Sequence, residues 1–168
     1  MSKYILFLIL VSAVGFSQSG FDDWDANYEF IVVDEVLAFE EKYAQEVEKD
    51  TTSGHYYVRM DTYRFFAEFT GNIRPVEDKV INSVKRVYKI RTGDSSILND
   101  LVLKEYEFNV GNSKIWMPIQ NQLVDYFNSE VNIGEKVLLY ALFTNEHHFE
   151  GGFTNVFLIS EFTTDWTD

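Results

Sequence analysis

The run YYVRMDTYRFFAEFTGNI, from Tyr56 to Ile73, follows a period of two over about three times the usual strand length of roughly 5–6 residues. A period of two belongs to β-structure, because successive side chains on a strand point to opposite faces. Fully extended at roughly 3.3 Å per residue, the run would outreach a small domain. It is therefore expected to bend in its middle, near Asp61. The segment before it follows another rule. In DEVLAFEEKYAQEVEKD, residues 34–50, Val36, Phe39, Tyr43 and Val47 recur at helical spacing, with Leu37 and Ala44 beside them. Asp34 fits an N-cap, and Glu40, Glu41, Glu46 and Glu48 are expected to face solvent. The Thr/Ser cluster and Gly54 in TTSGH end that helix.

Beyond Ile73 further strands are expected. NSVKRVYKIRT, residues 82–92, reads as a second strand, closed by the turn-rich GDSSILND. LVLKEYEFNV, residues 101–110, reads as a third, with Tyr106, Phe108 and Val110 alternating against Glu105, Glu107 and Asn109. After the turn GNS, KIWMPI reads as a short extension that Pro118 ends or holds at a sheet edge. QNQLVDYFNSEV, residues 120–131, returns to helical spacing, with Leu123, Tyr126, Phe127 and Val131 on one side. EKVLLYALF and FTNVFLISEF are the last two strands, joined by the loop TNEHHFEGG. Hydrophobic residues make up 46% of the chain and aromatic ones 17%, enough for one core without covalent staples.

The expected class is mainly β with two helices, α+β. Three strands, an inserted helix and two more strands resemble the chain order of the OB-fold, a five-stranded Greek-key barrel, over residues 56–163. The alternative is a helix packed on a curved antiparallel meander, as in cystatin-like or NTF2-like domains. The expected organisation is a signal peptide at 1–18, an acidic lead-in at 19–33, and one OB-like domain at 34–168 that opens with the helix 34–50.

Residues 1–18 have the layout of a secretory signal: Lys3, the apolar run Tyr4 to Val14, then small and polar residues up to Gln18. The apolar run is shorter than the roughly 20 residues of a membrane span, so no integral anchor is expected. The ending Phe-Ser-Gln is similar to that of signals from Bacteroidota-type Gram-negative bacteria. With no cysteine, the chain can form neither a lipid-modified cysteine nor a disulfide, although export would permit disulfides. Periplasmic or secreted bacterial export is the expectation. The formal charge of −13 becomes one unit more negative once residues 1–18 are removed. It repels phosphate backbones, which argues against nucleic acid.

No motif commits the chain to a reaction. There is no cysteine nucleophile, no G-x-S-x-G elbow, no P-loop and no H-E-x-x-H. His147 and His148 are adjacent, so only a loop could aim both at one ion, with Glu146, Glu150 and the distant His55 to complete a set; a polar hairpin loop whose glycines supply positive φ is the expectation, with no metal or other cofactor. DDWDAN and GDSSILND offer oxygens without EF-hand spacing. Five of the chain's 14 Lys and Arg residues lie between Lys79 and Arg91. On a strand, Lys85, Lys89 and Arg91 would share one face, opposite Val84, Tyr88 and Ile90, with Glu105 and Glu107 as cross-strand partners. Tyr56, Tyr57 and Trp116 are candidate stacking platforms. The expected function is a non-enzymatic binding module for a protein, a glycan or a small envelope ligand. It would use the face of the second and third strands and the last hairpin, through Lys85, Lys89, Arg91, Trp116, His147 and His148. The alternatives are a metal- or carboxylate-dependent hydrolase and a structural subunit of an envelope assembly.

Overall fold

The computed structural model describes residues 24–49, 57–147 and 152–166. The signal segment 1–18, the start of the lead-in, the helix stop at TTSGH and His148 lie outside the described residues. A helical turn at 24–27 leads into strand β1 (Glu29–Phe30) and helix α1 (Val33–Lys49). Then follow β2 (Val58–Pro75), α2 (Asp78–Thr92), β3 (Val102–Val110), β4 (Ser113–Gln120), α3 (Val124–Glu130), β5 (Lys136–His147) and β6 (Phe153–Thr163). Single 3₁₀ turns precede β3 and α3, at Ser96–Leu98 and Asn121–Leu123.

The strands run in the order β1-β2-β3-β4-β6-β5, and β5 returns to pair with β2. Strands β2 to β6 therefore close into a five-stranded OB-like barrel. This closure sets aside the open meander. β2 is shared between the two halves: Val58 to Glu68 pair with β5, and Glu68 to Pro75 pair with β3. The change of partner, with an irregularity between Phe69 and Ile73, sits well past Asp61. Asp61 lies inside the unbroken ladder to β5. Gly71, at φ 90, supplies a backbone conformation there that L side chains rarely adopt. The ladder to β3 stops at Glu68, and β1 pairs in parallel with Tyr63 and Arg64 beyond that point.

The segment read as the second strand is helix α2. Val84, Val87 and Tyr88 are its buried apolar residues, a helical i, i+3, i+4 stripe. The alternation of small windows within it hid this longer repeat. KIWMPI is no extension but the greater part of β4, which pairs with β3 along its length and with β6 at Ile119↔Ile159. Pro118 is buried inside that strand. The barrel still has five strands, because β4 supplies the strand that helix α2 does not.

The barrel interior holds Tyr63, Phe65, Ala67 and Phe69 of β2, Tyr106 and Phe108 of β3, Met117 and Ile119 of β4, and their partners on β5 and β6. α3 closes one end. Phe127 stacks at 5.0–5.8 Å on Phe69, Tyr106, Phe108 and Phe162. Tyr126, expected on the same apolar side, is exposed instead. α1 crosses the opposite end and presents Val33, Val36 and Leu37 to the interior. Two sequence expectations invert on α1: Phe39 is 55% exposed and Glu40 only 1%. Asp34 does not cap the helix. Its carboxylate accepts from the Asn112 amide (3.4 Å) and the Ser113 hydroxyl (3.1 Å), which fastens α1 to the β3–β4 turn. α2 packs on the outside of the barrel over a second apolar cluster that includes Met60, Leu142, Val156 and Leu158.

Candidate functional site

Helical geometry rearranges the basic stripe. Lys85 and Lys89, one turn apart, share a face of α2, whereas Arg91 is two positions further and points elsewhere around the axis. Between the two lysines, Arg86 donates from Nε and Nη2 to the two carboxylate oxygens of Glu146 at 2.6 and 2.7 Å. Glu146 is buried at the end of β5, so this fork pins α2 beside the β5–β6 hairpin. The basic helix and the histidine-bearing hairpin thus lie on one side of the molecule. Thr144 to His147, read as loop, belong to β5.

Trp116 belongs to a different surface. It lies on the outward face of β4 opposite Glu107, and the Arg74 guanidinium rests 4.2 Å from its ring centre. Arg74 also donates to Glu105 at 2.8 Å and pairs with Glu77 at 2.9 Å. Glu105 is buried rather than solvated, and burial pushes its carboxyl above the ordinary range against the pull of Arg74. Glu107 accepts from Asn72 (2.8 Å) and Thr70 (2.9 Å), and these bonds hold its carboxyl below the ordinary range. The cross-strand partners of these glutamates therefore come from β2 and, for Glu107, also from Lys114 of β4 at 3.9 Å, and not from the Lys85–Arg91 segment. Each carboxylate of this face is already engaged.

The barrel mouth under α1 carries a second polar group that the sequence reading missed. Arg59, Asn145 and Asn155 occupy one register row across β2, β5 and β6. Arg59 donates to Glu40 of α1 (2.6 Å), to the Tyr63 hydroxyl (2.6 Å) and to Asp61. Burial raises the carboxyl of Glu40 despite Arg59, and burial beside Asp61 pushes the Tyr63 hydroxyl up to about 12. Asn145 donates to Asn155 at 2.7 Å. Two residues further along β5, His147 Nε2 lies 3.3 Å from Glu48 Oε1, and the same oxygen accepts the Gly152 amide at 2.8 Å. Glu48 is held below the ordinary carboxylate range, first by the Gly152 amide and then by His147. A charged Glu in a helical pattern signals solvent exposure to any periodicity argument, so only the tertiary contact to Arg59 could reveal Glu40.

Beside this mouth a cleft of about 380 Å³ opens between residues 25–30 and Asp61–Arg64 of β2. Asp25, Glu29 and Asp61 line it together with Arg64, Tyr28 and Phe30. Asp25 is tied to Arg64 and accepts from the Tyr140 hydroxyl at 2.7 Å. Among the described residues, no three His, Asp or Glu side chains converge as a metal site, and no helix is long and apolar enough to cross a membrane. The chain matches no family model, no curated protein and no solved structure.

Proposed function

We propose that the chain is an exported, non-enzymatic binding module of a Gram-negative bacterium, and that its partner is an acidic glycan held on the outer face of α2 beside the β5–β6 hairpin. One observation carries the reading. Lys85 and Lys89 form no salt bridge among the described residues, while their neighbours Lys79 and Arg86 engage Glu77 and Glu146. Two lysines outside any salt bridge on one helical face, with Asp94 within electrostatic reach of Lys89, make a local positive site on a body of formal charge −13. A nucleic acid, with one charge per ~1.7 Å of duplex axis, would be repelled by the remainder of that surface. A glycan carries its carboxylates more sparsely and can meet the two lysines alone. The OB-like barrel supports the reading because such barrels bind oligosaccharides through the connections that flank them. α2 lies in the connection between the first two barrel strands, and the hairpin joins the last two.

Retention on immobilised polygalacturonate against a neutral dextran control tests the partner. Salt-sensitive retention by the native chain and its loss in the Lys85→Glu/Lys89→Glu variant is expected. Equal retention of the two proteins, or none by either, overturns the proposal. Export is tested by fusing residues 1–18 to a reporter enzyme in a Gram-negative host. A cytoplasmic reporter would sink that part.

A further inference from the structure

Three buried side chains at the barrel mouth are anchored through one polar atom and leave the other without a partner among the described residues. Glu40 is 1% exposed, Asn145 2% and His147 7%. Glu40 uses Oε1 on Arg59, Asn145 uses its amide nitrogen on Asn155, and His147 uses Nε2 against Glu48. Glu40 Oε2, Asn145 Oδ1 and His147 Nδ1 have no hydrogen-bond partner among the described residues. Buried polar groups are paired in roughly 90% or more of cases, so three half-paired groups beneath one helix call for a ligand or water.

The chemistry of the three atoms is alike. The Glu48 carboxylate can only accept, which places the His147 proton on Nε2 and leaves a lone pair on Nδ1. The Asn145 amide already donates, so its free atom is a carbonyl oxygen. The third is a carboxylate oxygen. All three are acceptors, and the charges around them are Glu40, Glu48 and Asp61 against Arg59. Such a set takes N–H donors and positive charge. Because no three His, Asp or Glu side chains among the described residues converge on a point, separate donors on one molecule fit better than a metal ion. The 380 Å³ cleft adjoins the set through Asp61 and Tyr63, the two β2 residues that hold Arg59, and its wall adds Asp25 and Glu29, while Glu40, Asn145 and His147 do not line it.

We propose that the barrel mouth beneath α1 binds a small organic cation with two or more N–H donors, which takes Glu40 Oε2, Asn145 Oδ1 and His147 Nδ1 as acceptors. This site is separate from the lysine face of α2 and stands or falls without it.

Calorimetric titration of the native chain with 1,4-diaminobutane tests the proposal. Tetramethylammonium, a cation without N–H donors, is the control for charge alone. Saturable binding of the diamine only is expected, with at least a tenfold loss of affinity in Glu40→Gln. In nuclear magnetic resonance spectra of the native chain, the side-chain amides of Asn145 and Asn155 and the His147 ring should shift during the titration. That second measurement decides the matter even where the variant fails to fold. Binding should weaken on acidification as Glu40, which faces Arg59, Asp61 and Tyr57, takes up a proton. Absence of saturable binding, equal responses to both cations, shifts confined to other residues, or tighter binding of Zn²⁺ or Ca²⁺ at this place would each overturn it, leaving water or a metal as the occupant.

Discussion

At the scale of single residues, the mouth is governed by the Glu40–Arg59 pair. Removing one partner of a buried ion pair leaves an uncompensated charge, commonly at a cost of about 3–5 kcal/mol. Arg59 is partly exposed, so Arg59→Met is expected to cost less, about 2–3 kcal/mol at neutral pH, in urea unfolding. The sign of its pH dependence follows from the raised carboxyl of Glu40. A carboxyl raised in the folded state holds its proton more tightly there, so folding is favoured below the unfolded value and that advantage is lost as pH rises through the folded value. The deficit of Arg59→Met should therefore shrink as pH falls toward the ordinary glutamate value. A deficit constant from pH 7 to pH 4 would contradict the burial of Glu40. Gly111, at φ 57, tests another attachment of α1. A Cβ there would collide with the carboxylate of Asp34. Gly111→Ala should cost about 1–2 kcal/mol from the backbone alone, plus the displaced Asp34 contact. Its unfolding midpoint in urea reads this directly.

At the scale of elements, α2 and β4 show how local patterns mislead. In NSVKRVYKIRT, Val84 and Tyr88 are consistent with alternation and with a helical repeat alike. The decision came from the ground beneath them, an outer barrel surface of Met60, Leu142, Val156 and Leu158 wide enough for a helical stripe. A proline at the partly exposed Lys85 separates backbone from packing. In a helix interior it costs about 3 kcal/mol, so Lys85→Pro should lower stability by that order and reduce the helical circular dichroism signal. In α3 the pattern and the structure agree at Phe127, which packs on Phe69, Tyr106 and Phe108 in the interior. Phe127→Ala opens that end of the barrel and is expected to cost about 3–5 kcal/mol, measurable by thermal or urea unfolding.

For the whole molecule, the barrel has one thin seam. β4 and β6 share the single register pair Ile119↔Ile159, whereas β5 and β6 pair from Leu138↔Thr163 to His147↔Phe153. Hydrogen exchange should open β4 against β6 before β2 against β5. Protection distributed evenly over both would contradict that order. By itself the sequence determined the strand-rich class, the helix between barrel strands, the apolar interior and the absence of cysteine. Those follow from periods of 2 and 3.6 and from composition, which act over a few neighbouring residues. Only the tertiary structure decided where the long strand changes partner, that residues 78–92 are helical, and which charges go inside. Glu40, Glu105 and Glu146 are buried because Arg59, Arg74 and Arg86 come to meet them from 19, 31 and 60 residues away. A charge is expensive to bury alone and tolerable to bury paired, and pairing over such separations exists only once the chain has closed on itself.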